Sequence, residues 1–171
     1  MVLELLRQRR SVRRFRQKPL SEDMIKQLKE AAVRSPSSRN LRPWRFYFVS
    51  DQDRLEGLAK AKAHGAGFLK DAALGIVICG DETVSDVWIE DGSIAAVILQ
   101  LTAQDLGLGS CWVQIRNRLN ADSQSSEEYI RALMDIPSRQ RVLAVIAVGY
   151  PDEEKPGILQ DQLAFENIIM A

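Results

Sequence analysis

Residues 91–113, D-G-S-I-A-A-V-I-L-Q-L-T-A-Q-D-L-G-L-G-S-C-W-V, restrict the fold more than any other stretch of the chain. Between positions 94 and 103, eight of ten residues are apolar. Ile94, Val97, Ile98 and Leu101 recur at helical spacing, and the opposite side is apolar through Ala95, Ala96, Leu99 and Ala103. A helix that is apolar on nearly every side has to be buried, in a core or between subunits. Asp91 or Ser93 is placed to cap its start, and Gly107 or Gly109 to end it in a left-handed conformation. The run is too short for a bilayer and is interrupted by Gln100, Thr102, Gln104 and Asp105. It reads as the central helix of a globular protein, feeding a strand at 111–115.

The elements around it follow from periodicity and caps. Leu3, Leu5 and Leu6 open a short helix, and Ser21 caps a second whose stripe is Met24, Ile25, Leu28, Ala31 and Ala32. A polar-faced helix is expected at 53–63, and a capped one at 125–134 that ends before Pro137. Strands are expected at 45–49, 73–81 and 142–151, the last two apolar enough to be buried on both faces. That order gives an α+β or mixed α/β sandwich of about four strands. With 171 residues and no linker or repeat, one domain is expected. Cys79 and Cys111 lie in apolar surroundings, as buried free thiols in a reducing compartment would. The first residues hold no apolar signal segment, so a cytoplasmic protein is expected.

The net charge is zero, but its distribution is uneven. Residues 1–50 carry 13 Lys or Arg against 4 Asp or Glu, and the rest carry 10 against 19. A basic N-terminal third calls for an anionic partner: nucleic acid, an acidic protein surface or a phosphate-bearing small molecule. Within it, R-R-S-V-R-R-F at 9–15 sets Arg9, Arg10 and Arg13 around Ser11, with Val12 and Phe15 as core anchors. Guanidinium forks grip phosphate, although a solvated basic face has the same composition. The loop S-P-S-S-R-N-L-R-P-W at 35–44 is pinned by Pro36 and Pro43 and crowded with Ser37, Ser38 and Asn40. It could present amides and hydroxyls to a flat heteroaromatic ring, or be a capped turn without a ligand. The only histidine, His64, sits in a glycine-containing connection and reads as a surface residue. No G-x-G-x-x-G or Walker pattern and no metal-ligand cluster occurs.

Taken together, R-R-S-V-R-R-F, S-P-S-S-R-N-L-R-P-W, D-G-S-I-A-A-V-I-L-Q-L, L-G-L-G-S-C-W and V-L-A-V-I-A-V-G-Y-P resemble the FMN-dependent nitroreductase family in order and spacing. The resemblance spans essentially the whole chain and looks like a compact member. It implies a three-layer α/β/α sandwich with a mixed, mainly antiparallel sheet, and a homodimer built on the central helix. The tail, 152–171, is then expected to reach the partner subunit.

The resemblance also implies an NAD(P)H-dependent flavin oxidoreductase acting on a nitroaromatic, a quinone or a similar oxidant. Arg9, Arg10, Ser11 and Arg13 are expected to hold the FMN phosphate and ribityl chain. Pro36, Ser37, Ser38 and Asn40 would lie against the flavin from the partner, and Val113, Gln114 and Ile115 beside its reactive edge. Where such proteins carry a Lys or Arg in the tail, this chain offers the neutral Gln162, with Lys155 or Arg116 as substitutes. No catalytic acid–base residue, metal, nucleic acid or membrane is expected. The alternatives are another flavin-using activity on the same fold, or a polyanion-binding module.

Overall fold

The computed structural model describes residues 1–170. Its five helices are α1 (Val2–Gln8), α2 (Glu22–Arg34), α3 (Gln52–Ala59), α4 (Trp88–Asp105) and α5 (Ser126–Met134). Its four strands are β1 (Trp44–Val49), β2 (Leu74–Asp81), β3 (Gly109–Gln114) and β4 (Gln140–Gly149), in the order β1-β2-β4-β3. Every pair of neighbouring strands runs antiparallel. The expected parallel component of a mixed sheet is reduced to one bridge between Ser11 and Ser110.

Alternation along the strands splits the core in two, one half on each face of the sheet. Leu55 and Leu58 of α3 and Ile130 of α5 pack against Val77, Val113 and Val145 on one face. Leu28 and Ala32 of α2 and Ala96, Leu99 and Ala103 of α4 pack against Ile76, Ile78 and Ile146 on the other. The three-layer arrangement is therefore present. Between Ile78 and Cys79 the β2–β4 register slips, leaving Leu143 as an extra residue in β4. The Leu143 carbonyl accepts from the amides of both Ile115 (3.2 Å) and Arg116 (3.0 Å), which ends the ladder of β3.

The central helix starts earlier than expected. Its N-cap is Val87, which has no side-chain cap, and Asp91 lies within the first turn rather than ahead of it. Asp91 is needed there for a tertiary contact, described below. The helix ends in a Schellman pair: the Gly107 amide donates to Gln104 and the Leu108 amide to Ala103, with Gly107 at φ +72°. Gly109, by contrast, opens β3 two residues before the expected start. A side chain there would collide with Val12, since an added Cβ would sit 2.8 Å from the Val12 Cβ.

Burial of α4 is one-sided. Ala95, Ala96, Leu99 and Ala103 are fully buried, whereas Ile94 and Val97 are 44% and 48% exposed. Helix α1 packs on α4 and leaves Val2, Leu3 and Leu6 exposed beside it. The helix expected at 53–63 stops at Ala59, because Lys60 and Ala61 already bond in three-residue turns to Gly57 and Leu58. Both cysteines are free and buried. No helix among the described residues is long and apolar enough to cross a membrane.

Candidate cofactor site

Two of the three expected site segments lie along β3. The Val12 amide donates to the Ser110 carbonyl at 3.0 Å, which seats the R-R-S-V-R-R motif against the start of that strand. Burial pushes the Cys111 thiol up, and Arg13, the Ser11 hydroxyl, Lys155 and Arg9 oppose the shift in that order. All four groups are thus within electrostatic reach of one sulfur. Neither the Arg9 nor the Arg13 guanidinium enters a salt bridge among the described residues, so both charges are free to meet an anion. Arg13 lies over the Phe68 ring, 6.0 Å from its centroid. Arg10 departs from the expectation, because its guanidinium donates to the Pro156 carbonyl of the tail.

β3 is an edge strand, paired along its length with β4 alone, and its other side meets only the Ser11 bridge at Ser110. Ser110, Trp112 and Gln114 alternate with the residues bonded to β4, so their amides and carbonyls face outward. From Ser110 to Gln114 this edge runs for about 13 Å at the usual rise of a strand. The side chains of Val113 and Ile115 are buried in the core, 1% and 0% exposed, and the Ile115 amide is bonded to Leu143, so of the three expected residues here only Gln114 presents its backbone to this edge. The Gln114 side chain is fixed by two hydrogen bonds: it accepts from the Trp112 indole at 3.0 Å and donates to the Arg116 carbonyl at 2.9 Å.

The third segment lies elsewhere. The Ser38 amide donates to the Asp91 carboxylate at 2.8 Å, and the Ser85 hydroxyl approaches the same group at 3.5 Å. This buried carboxylate, at the positive end of α4, ties the loop of Pro36, Ser37, Ser38 and Asn40 to the start of the central helix. Within the loop, Arg42 donates its amide to the Ser37 hydroxyl and its Nε to the Asn40 side-chain Oδ1. Arg39, Asn40 and Arg42 all have φ between 51° and 55°. Three left-handed non-glycine residues in four positions are costly, and strain of that kind gathers at functional loops. The arginine cluster, by contrast, lies beyond the other end of α4. Eighteen helical residues span about 27 Å, so one chain does not bring the loop and the cluster together.

The model of the family described as "Nitroreductase family" matches residues 6–75 and 60–150. The chain belongs to the nitroreductase family. An FMN-dependent nitroreductase of Clostridium difficile R20291 superposes with a TM-score of 0.96 at 40% identity, over 98% of both chains. A Parabacteroides distasonis structure provisionally named NADH dehydrogenase/NAD(P)H nitroreductase gives 0.89 at 31% identity, over 99% of this chain and 96% of that one. A Methanothermobacter thermautotrophicus protein of the same provisional name is 34% identical over 91% of this chain and 80% of its own length.

The first part of the tail of this nitroreductase is held against the N-terminal arginine motif. The Glu153 carboxylate accepts from the amides of Arg13 (2.5 Å) and Arg14 (3.2 Å) and pairs with Lys155 at 3.1 Å. Lys155 in turn donates to the Ser11 carbonyl at 2.7 Å. Of the two candidate substitutes for a tail cation, Lys155 is therefore at the cluster. Arg116 lies past the far end of β3, and Gln162 only accepts weakly from its neighbour Leu159. The sequence signal was the E-E-K triplet after the last strand, complementary to the N-terminal arginines. Beyond it, residues 158–170 are exposed and form no strand, and Ala171, the last residue of the expected tail, lies outside the described residues.

The latch has a pH signature. The Arg13 amide, Lys155 and the Arg14 amide together hold the Glu153 carboxyl below its ordinary value, against the opposing effect of burial. A depressed folded pKa contributes stability above the unfolded value and loses it as pH falls through the folded one. The acid limb of a melting-temperature profile is therefore expected to flatten in Glu153→Gln. Superimposable acid limbs in the two proteins would show that the latch contributes nothing.

Proposed function

We propose that this nitroreductase is an FMN-dependent oxidoreductase that takes a hydride from NAD(P)H and delivers it to a nitroaromatic, a quinone or a similar small oxidant. The observation that carries the reading is the cluster of Arg9, Ser11, Arg13 and Lys155 at one end of the free edge of β3. The donor set fits the group. Two unpaired guanidinium groups and an ammonium suit a phosphate, and the edge beyond Ser110, whose carbonyl already accepts from Val12, is left for a ribityl chain and the near part of a tricyclic ring.

Arg9 and Arg13 would hold the phosphate, with Ser11 adding a neutral hydrogen bond and Lys155 replacing a tail cation. The outward amides of Trp112 and Gln114 would donate to polar atoms of the ring, held in place by the β3–β4 ladder. Bound FMN supplies the electron-carrying chemistry. The protein's part is to position the ring, exclude water from one face and stabilise developing negative charge with fixed donors.

The site would be shared in a homodimer. Ile94 and Val97 of α4, with Val2, Leu3 and Leu6 of α1, form an apolar face that this chain leaves uncovered. Pairing two such faces about a two-fold axis, with the α4 helices antiparallel, sets the loop end of one chain beside the cluster end of the other. Pro36, Ser37, Ser38 and Asn40 would then close the partner's pocket. Residues 1–171 would act as one domain, with 152–171 a tail reaching the partner, which would cover Leu163, Phe165, Ile168, Ile169 and Met170. Two buried free thiols fit a reducing cytoplasm.

The test is spectroscopic. Purified protein is expected to carry FMN whose visible absorption bleaches when NADPH or NADH is added without oxygen and returns when a quinone follows. Bound flavin that neither coenzyme reduces would contradict the reading.

A further inference from the structure

A polar cavity lies where the antiparallel register gathers the start of β1, the end of β2 and the start of β4. Trp44 pairs with Gly80 and Asp81 with Gln140, so residues far apart in sequence ring one space of about 150 Å³. Arg42, Arg45 and Arg139 surround it, against the single carboxylate of Asp81. Arg42 uses only its Nε, on Asn40, and Arg45 only one Nη, on the Trp44 carbonyl. Arg139 approaches Asp81 at 3.9 Å, too far for a hydrogen bond. Asp81 is already engaged by the Thr83 amide and hydroxyl.

Gln140 also lines the cavity and is 7% exposed. Its Oε1 accepts from the Tyr47 hydroxyl at 2.6 Å. The cavity thus holds unspent guanidinium donors and a net positive lining. It is too small for a whole coenzyme, since ligand pockets usually run to several hundred Å³. It is large enough for one terminal phosphoryl group. A pyrophosphate, which has substituents on both sides, needs a groove that passes through.

We propose that this cavity takes the 2′-phosphate of NADPH and makes NADPH, rather than NADH, the preferred reductant. The inference rests on the flavin reading above and deepens it. Arg42 follows Asn40 by two residues, so a coenzyme whose nicotinamide reached the ring beside the loop would carry its adenosine end past this wall. Arginine forks match a phosphate monoester bidentately, and the second Asp81 oxygen is left for a sugar hydroxyl.

The experiment uses flavin-loaded protein and compares both coenzymes with wild type and Arg139→Ala. The wild type is expected to favour NADPH. The variant should raise the KM for NADPH roughly 10- to 150-fold, as loss of a charged hydrogen bond does, with kcat and the KM for NADH unchanged. An equal rise for both coenzymes, no rise, or a wild-type preference for NADH would overturn the proposal. Calorimetric titration with adenosine 2′,5′-bisphosphate separates this from failure of the flavin reading. Binding that exceeds that of adenosine 5′-monophosphate and is lost in Arg139→Ala supports the cavity even if neither coenzyme reduces the flavin. Equal binding of the two nucleotides overturns it.

Discussion

Val97→Asp is expected to turn a dimer into a monomer and to release its FMN in the same step. Val97 is 48% exposed in the isolated chain, and a substitution at a truly solvated surface position changes stability by only about ±0.5 kcal/mol. At a two-fold interface each dimer would instead bury two carboxylates in an apolar seam. Each costs several kcal/mol without a partner. Sedimentation equilibrium, circular dichroism and flavin absorbance together read the outcome. A folded monomer without flavin is the expected result, and a flavinated dimer would remove α4 from the interface. Leu99→Ala, two residues along on the opposite, fully buried side, gives the contrast. It should lower the stability of the fold by about 2–5 kcal/mol through a cavity, with no selective effect on association.

The second large effect concerns the phosphate. Arg9→Ala is expected to weaken FMN binding by about 1.5–3 kcal/mol, roughly 10- to 150-fold, the range for a charged hydrogen bond. Riboflavin, which lacks the phosphate, should bind wild type and variant alike. Lys155→Ala should act in the same direction, because its ammonium lies with Arg9, Ser11 and Arg13 around Cys111. Equal losses of FMN and riboflavin affinity would mean that these residues support the fold rather than grip an anion.

What was legible in the sequence was local. The helical spacing of residues 94–103, the Ser21 and Ser125 caps and the continuous apolar runs of β2 and β4 each carry their own signal, and each became the expected element. The start of α4 was misplaced because an acidic residue ahead of an apolar run resembles a cap. Asp91 is instead held inside the helix by Ser38, a partner 53 residues away that no local pattern reveals. The burial of the Val113 and Ile115 side chains was hidden for a related reason. Strand alternation fixes which residues share a face, but not which face meets the core. The Glu153–Lys155 latch and the Arg42–Arg139 cavity depend on strand register and on chain ends meeting, so they appear only once the fold is known.

The shared site is tested most directly by mixing two deficient proteins. One carries Arg9→Ala and Arg13→Ala and loses the phosphate grip. The other carries Ser38→Trp, which keeps the backbone amide that binds Asp91 but fills the space where the loop would meet the ring. Each homodimer should bind little FMN. After equal amounts are unfolded and refolded together, half the dimers pair the two variants, and each of those has one site built wholly from unaltered segments. About a quarter of the wild-type FMN capacity is therefore expected to return. If the site lay within one chain, every site would keep one lesion, and no capacity would return on mixing.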